Sequence, residues 1–342
     1  MSKLYHKNGF VNMTYVMTQP EDFIAVIGGR GTGKTFGALR RLIPERTSKF
    51  LFLRRTQTQA DIISNDDCSP FKPQTDNPFT VQRIRKYISG FYRMDEDGKA
   101  TGTPAGYIAA LSTFASIRGI DFSDVNLIIY DEFIPESHER PIKNEAAALW
   151  NVYETVNRNR ELFGADPVKL VMLSNSNTIN NAIFASLDIT NSVAKMQEKG
   201  LEIMRFPDRG LVVFDLQHSG ISEKKKHTAL YRLTAKDKRF AGMALENKFD
   251  DVPDQIASYD LTMYVCKYRL DNLYIYKHKT EQRFFITNIR MGTPLEEYEN
   301  NSTDLTAFRM QHPELVVLYY RRCVEFSSVA LALYFKNLLQ LN

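Results

Sequence analysis

Cysteine is scarce in this 342-residue chain, which has only Cys68, Cys266 and Cys323, scattered with no paired spacing. That excludes a disulfide framework and a cysteine-based zinc site as organising elements, and it fits a reducing compartment. An excess of one charge sign is nearly missing too: 44 Lys+Arg face 40 Asp+Glu, for a net charge of +4. So small a surplus permits a nucleic-acid partner without demanding one, and any DNA contact must come from local basic patches. No long apolar run follows Met1-Ser2-Lys3-Leu4-Tyr5-His6, and nothing resembles a signal peptide or a membrane span. Repeats and low-complexity tracts are absent. The expectation is a soluble, intracellular protein with no membrane partner.

What is present suits a folded chain, with 43% hydrophobic and 25% charged residues. The length is too great for one ordinary domain and suits two, with room for a small piece between them. Phe23 to Ile27 is a short apolar run of the kind a buried parallel strand needs. Lys34 to Leu42 reads as a helix, Lys49 to Leu53 as a strand ending at Arg54-Arg55, and Asp66 to Phe79 as a loop. Asp95-Glu96-Asp97-Gly98 marks a turn. Leu127 to Tyr130 is a further buried strand, Asn144 can cap a helix from Glu145 to about Arg160, and Lys169 to Leu173 is another strand. Strands alternating with helices imply a largely parallel α/β sheet. Beyond about residue 200 the character changes. Ser222 to Lys226 is a polar, basic connector. Leu261 to Tyr276 and Arg283 to Ile289 have the composition of a β-hairpin, and Phe326 to Leu339 that of an apolar helix.

Gly28-Gly29-Arg30-Gly31-Thr32-Gly33-Lys34-Thr35 fits G-x-x-x-x-G-K-[ST] between a predicted strand and a predicted helix. Glycines let the backbone turn so that several N–H groups converge on one phosphate, and the helix N-terminus adds positive partial charge. In that pattern Lys34 reaches the β- and γ-phosphates of ATP, and the Thr35 hydroxyl ligates Mg²⁺. The bland alternative is an ordinary glycine-rich turn.

Leu127-Ile128-Ile129-Tyr130-Asp131-Glu132 is an apolar strand ending in two acids. Asp131 is placed to hold Mg²⁺ and Glu132 to polarise the attacking water, provided it is held within hydrogen-bond reach. The interval between Lys34 and Asp131 leaves room for an extra strand, at Gly106 to Leu111. An Asp-Glu pair with an extra strand resembles the ATPase branch that carries its own catalytic glutamate. Asn247-Lys248-Phe249-Asp250 matches the guanine-reading N-K-x-D. It follows no clear buried strand, and the D-x-x-G of GTPases is missing, so the match is read as accidental. Arg158 either pairs with Glu154 one turn earlier or acts as an arginine finger on a neighbouring subunit's ATP. Asn175, after the strand Lys169 to Leu173, sits either in a plain turn or where an amide senses the γ-phosphate.

The phosphate loop, Phe52-Leu53-Arg54-Arg55, Ile129-Tyr130-Asp131-Glu132-Phe133-Ile134, Asn157-Arg158-Asn159-Arg160-Glu161 and Leu173-Ser174-Asn175 occur in that order. Together they resemble the DNA-packaging ATPase family of φ29-like bacteriophages. The resemblance covers most of residues 20 to 185 and continues weakly to the C-terminus. It implies a homo-oligomeric ring of five subunits that pumps double-stranded DNA into a prohead. Such a motor would work in the cytoplasm of the infected host cell, transiently at the capsid portal vertex. It makes Arg158 the trans-acting finger and places Arg118 where the family carries a basic residue acting across the subunit interface. The family also uses a packaging RNA, which no residue here indicates.

The expected fold class is therefore α/β. A P-loop NTPase domain of the additional-strand catalytic-glutamate class (1–205) precedes a small linker domain (206–245) and an α+β RNase H-like C-terminal domain (246–342). In the last, Asp260, Asp271, Glu281 and Asp304 do not arrange as the paired carboxylates of two-metal cleavage. Lys224-Lys225-Lys226, and Arg321-Arg322 beside Tyr319-Tyr320, are either DNA contacts or solvated surface. Two rival functions stand beside the packaging motor: a terminase-type motor with an active nuclease, and a nucleotide-gated assembly protein with little turnover.

Overall fold

An apolar stretch without alternation is satisfied only by burial on both faces. Phe23–Gly28 (β1) meets that condition, with every residue after Phe23 buried. The computed structural model describes residues 3–136, 139, 142–176, 179, 181–225, 227–233 and 261–341. These divide into two compact units, one drawn from Met1–Leu187 and Lys195–Asp250, the other from Asp188–Ala194 and Asp251–Asn342.

The first unit is built on a nine-stranded sheet. With β1 it contains β2 (Lys49–Arg54), β3 (Phe79–Arg85), β4 (Ile88–Met94), β5 (Ala100–Ala110), β6 (Val125–Asp131), β7 (Lys169–Asn175), β8 (Ile203–Phe206) and β9 (Leu211–Asp215). Their order is β3-β4-β5-β2-β6-β7-β1-β9-β8. From β5 to β9 the neighbours are parallel, while the β3-β4-β5 and β9-β8 margins are antiparallel. The parallel core places the ends of β1, β2, β6, β7 and β9 on one edge, which is where α/β proteins bind ligands. The strand expected at Gly106 to Leu111 is the end of β5, which starts earlier, at Ala100, and stops at Ala110. Gly106 is required there: a Cβ would lie 2.5 Å from the Phe50 ring.

Helix α1 (Met13–Met17) packs on α2 (Lys34–Leu42), whose buried Ala38, Leu39 and Leu42 face the core. Helix α3 (Gln57–Ile63) starts with a capping box between Thr56 and Gln59. Helix α4 (Glu145–Asn157) is shorter than its sequence suggests, because Arg158 and Asn159 take left-handed φ values of 49° and 52° and end it. Arg160 then lies in a separate 3-10 turn. Asn144 does not cap α4 through its side chain; it too is left-handed, at φ 53°. Helices α5 (Ala182–Ser186), α6 (Thr190–Glu198), α7 (Gly220–Lys225) and α8 (Ala229–Leu233) follow. The expected junction between residues 205 and 206 falls inside the β8–β9 hairpin, where Phe206 still pairs with Leu211. The rest of the expected linker includes α7 and α8, and its residues 234–245 lie outside the described residues, as do Asn247 to Asp250 and Asp260.

The second unit is a five-stranded sheet of β10 (Tyr264–Leu270), β11 (Leu273–His278), β12 (Phe284–Thr287), β13 (Glu296–Tyr298) and β14 (Val324–Phe326), ordered β13-β10-β11-β12-β14. The stretch Leu261 to Tyr276 is thus mostly a hairpin by itself, turning at Asp271 with φ 52°, and Arg283 to Ile289 supplies a third strand. The closing apolar helix runs Val329–Leu338, capped by Ser328, while Phe326 belongs to β14. Phe308, Leu315, Phe326 and Phe335 form the core of this unit.

Candidate functional site

The loop between β1 and α2 folds as its glycines allow. Gly31 and Gly33 have φ of 70° and 91°, which L side chains rarely adopt, and Gly33 is the residue preceding α2. Lys34 opens the helix and is almost fully buried, at 7% exposure. Its ammonium donates to the Gly28 and Gly29 carbonyls at 3.0 and 2.9 Å, and to the Thr32 hydroxyl at 3.3 Å. Burial pushes its pKa down to about 7, partly offset by Asp131 and reinforced by Lys225.

Asp131 and Glu132 stand at the carboxyl end of β6. The Thr35 hydroxyl donates to Asp131 Oδ1 at 2.8 Å. Burial raises the Asp131 pKa, opposed by Arg54 and by the Thr35 hydrogen bond. Glu132 is half-exposed and left-handed at φ 57°, a conformation that costs roughly 1–2 kcal/mol outside glycine. The end of β7 holds it: Phe133 N–H donates to the Leu173 carbonyl and Ile134 N–H to the Ser174 hydroxyl, both at 3.2 Å.

Arg54, at the end of β2, donates to Asp131 Oδ2 at 2.7 Å and also to Glu132 Oε2. The sequence marks Arg54 as a strand end and as part of the Phe52-Leu53-Arg54-Arg55 segment, without a role in the site. The signal available was its position: β2 is parallel to β6, and both end on the ligand-binding edge. Its neighbour Arg55 points the other way, wholly buried, with its Nε 2.7 Å from Glu145 Oε1. Arg30 pairs with Glu136 on the loop after Glu132.

Asn175 joins the site from β7, with its Oδ1 accepting from the Lys34 ammonium at 3.3 Å. From β9 comes Asp215, which had no part in the sequence reading. It is fully buried, and burial lifts its pKa to about 7, opposed by hydrogen bonds from Gln197 and Gln217. The last contributor is Lys225 of α7. An ideal Cβ on Gly31 would lie 3.1 Å from the Lys225 ammonium, which therefore rests against the phosphate loop.

Residues 5–276 match the family model of the Podovirus DNA encapsidation protein (Gp16). The chain belongs to that family. The "DNA packaging protein" of Bacillus phage phi29 is 29% identical over 194 residues, covering 55% of this chain and 53% of that relative. The corresponding protein of Bacillus phage B103 is 26% identical over 230 residues, covering 66% and 63%. The match to phi29 thus spans about half the length of that relative. Among solved structures, the bacteriophage Phi-29 viral genome packaging motor assembly aligns with a TM-score of 0.60 at 20% identity, covering 97% of this chain and 98% of that one. The Phi-28 gp11 DNA packaging motor aligns at 0.52 and 20%, covering 98% and 99%. At such identity the structures show a shared fold.

One of the expected site residues of this family member, Arg158, is not in its own phosphate site. Arg158 donates to Asp121 Oδ1 at 2.9 Å, and the nearby Arg160 to the Val125 carbonyl at 3.0 Å, both at the amino end of β6. Six strand steps, roughly 20 Å, separate that end from Asp131. Arg160 is a clip, with bonds also to the Asn157 and Val156 carbonyls, whereas the Arg158 side chain is 47% exposed. Arg118 is exposed, just after the 3-10 segment that ends at Ile117.

In the second unit the acids serve local ends. Asp271 accepts from the Tyr334 hydroxyl, Glu281 pairs with Arg283, and Asp304 accepts from the Glu299 N–H. Tyr319 packs against Phe326 and Phe335, so it is part of that unit's core, while Arg321 and Arg322 are exposed. Among the described residues, no helix is long and apolar enough to cross a membrane.

Proposed function

We propose that this chain is an ATP-hydrolysing ring motor that translocates double-stranded viral DNA into a prohead. The observation that carries the proposal is the convergence of Lys34 and Thr35, from α2, with Asp131 and Glu132, from the end of β6, on one edge of the parallel sheet. Membership of the encapsidation family supports the cargo. The placement of β7 between β1 and β6 supports the additional-strand catalytic-glutamate class, and the mixed sheet of the second unit supports an RNase H-like fold. The local partners of Asp271, Glu281 and Asp304 support the reading that this unit is nuclease-inactive. Assembly as a ring of five, docking to the portal of a prohead in the host cytoplasm and use of a packaging RNA belong to the same proposal.

The residues fit Mg·ATP. The Lys34 ammonium, which donates to the Gly28 and Gly29 carbonyls, would turn to the β- and γ-phosphates at the N-terminus of α2. Thr35 and Asp131 would hold Mg²⁺, their oxygens being adjacent; the ion, when bound, neutralises phosphate charge. Glu132 orients the water and takes its proton, for which it must first leave Arg54. Asn175 senses the terminal phosphate through its contact with Lys34. Arg158, too far from its own site, completes that of a neighbour, and Arg118 acts across the same interface.

The test is ATP turnover by wild type and Glu132→Gln, each with and without double-stranded DNA. Wild type should hydrolyse ATP faster with DNA, and the variant should bind ATP while losing about 100-fold or more in turnover. Wild-type-like turnover in the variant would remove Glu132 from the mechanism.

A further inference from the structure

The sequence offered Lys224-Lys225-Lys226 as one basic patch, to be met by DNA or by solvent. The structure separates the two of these lysines that it describes. Lys224 is exposed and donates to the Asn8 carbonyl at 2.7 Å. Lys225 is partly buried and its ammonium lies over the phosphate loop, 3.1 Å from where a Gly31 Cβ would stand, with its Cε at 3.3 Å. A Cβ at position 31 would press on the end of the Lys225 side chain.

We propose that Lys225 is a ligand of the nucleotide's phosphate chain in its own subunit, a second ammonium beside that of Lys34. The proposal rests on the ATPase reading above and deepens it.

The backbone around Lys225 is tied to the site at several points. Leu216 N–H donates to the Ile27 carbonyl of β1 at 2.9 Å, so the chain leaving β9 starts at the phosphate loop. The Ser219 hydroxyl donates to the Gly9 carbonyl at 3.0 Å. Gly9, at φ +95°, comes so close to Gly220 that a Cβ would stand 2.9 Å from the Gly220 carbonyl carbon. The turn that contains Gly9 is in turn fixed to the phosphate loop, where Val11 N–H donates to the Thr32 carbonyl at 3.0 Å. Thus β1, the Tyr5–Val11 turn and the segment 216–225 form one cradle, and α7 delivers Lys225 from it.

Charge explains what the cradle is for. Lys34, Arg30 and Lys225 surround one short glycine-rich loop. Lys225 depresses the Lys34 pKa, and burial together with Arg30 depresses that of Lys225 itself. Arg30 also pairs with Glu136, and Asp131 partly offsets the effect on Lys34; a phosphate chain would interact favourably with both lysine ammoniums at once. The G-x-x-x-x-G-K-T pattern and the N-terminus of α2 favour a polyphosphate as the anion over a carboxylate side chain. The position of Lys225 against the phosphate loop favours the nucleotide over a DNA phosphate.

The experiment uses full-length protein and a mant-labelled ATP or ADP with Mg²⁺, for wild type, Lys225→Ala, Lys225→Gln, Lys225→Arg, Lys34→Ala and the surface control Lys72→Ala. Binding of a double-stranded DNA fragment is measured in parallel, and thermal melting without nucleotide checks folding. Removing Lys225's charge should weaken Mg·ATP binding about tenfold. Arg should restore most of it, and Lys72→Ala should change nothing. The near-isosteric Gln variant decides the matter if Ala melts early. Nucleotide affinity equal to wild type in both uncharged variants, with Lys34→Ala defective, overturns the inference and leaves the ATPase reading intact. So does a loss confined to DNA binding. If wild type binds no nucleotide, or Lys34→Ala binds as wild type does, the ATPase reading itself fails and takes the inference with it.

Discussion

Arg54 holds Glu132: the guanidinium that donates to Asp131 Oδ2 at 2.7 Å extends its other terminal nitrogen to the Glu132 carboxylate. One cation thus neutralises two adjacent acids, one of them wholly buried. Substituting Arg54→Ala leaves Asp131 buried beside a like charge, and breaking a buried pair in this way costs about 3 kcal/mol. Arg54→Lys keeps the charge but cannot reach both acids with a planar fork, so it should recover part of the loss. Urea denaturation of both variants checks this. A deficit for Arg54→Ala below about 0.5 kcal/mol would mean that the pairing is not formed in solution.

Asp215 gives a pH signature. Its pKa rises from 3.8 to about 7 on folding, because burial disfavours the carboxylate. Between those values the folded chain holds a proton that the unfolded chain has lost. The stability contributed by Asp215 is therefore complete below about pH 4 and is lost as pH rises through about 7. Asp215→Asn removes that slope. At pH 8 the variant should exceed wild type by on the order of 3 kcal/mol, and the gap should close towards pH 4. Denaturant melts at the two pH values decide, and a gap that does not depend on pH would refute the assignment.

Arg55 and Glu145 form a pair with two contacts, at 2.7 and 3.1 Å, and the Tyr130 hydroxyl donates to the same carboxylate at 3.0 Å. Both charged side chains are buried, at 0% and 5% exposure, so solvent screens them little. Glu145→Ala should cost about 3–5 kcal/mol. The double variant Arg55→Met/Glu145→Leu should recover part of that, since the two wholly buried charges go together, while Glu139, the second partner of Arg55, is partly exposed and keeps its bond from Gln59. A single variant as stable as wild type would show that Glu145 only fills space.

What the sequence made legible follows from how local each signal is. The phosphate loop and the Asp131-Glu132 strand end are written in contiguous residues, so their elements and positions could be read directly. Arg54 was harder, since its role depends on β2 lying parallel to β6, a pairing between segments some 75 residues apart. Asp215 and Lys225 were harder still: only the placement of β9 beside β1 brings them to the loop. Arg158 illustrates the converse. A run of helix-forming residues extends the reading to Arg160, yet two successive left-handed residues end the helix at Asn157. That termination turns Arg158 outward and leaves Arg160 as an internal clip.

Arg158 supports the last prediction. Its partner Asp121 is 71% exposed, and a surface pair of this kind contributes little to stability. Arg158→Ala should therefore melt close to wild type. If Arg158 serves a neighbouring site, the variant should lose turnover in the assembled state while each subunit still binds ATP. Mixed assemblies separate a trans role from a structural one. A Glu132→Gln subunit lacks the base but keeps its arginine, and an Arg158→Ala subunit keeps the base but lacks the arginine. At an interface where the first donates its arginine to the second's site, one complete site is restored. Mixing two inactive variants should then return part of the wild-type turnover, rising with the fraction of mixed interfaces. Assemblies that form normally yet show no rescue at any ratio would confine Arg158 to its ion pair with Asp121.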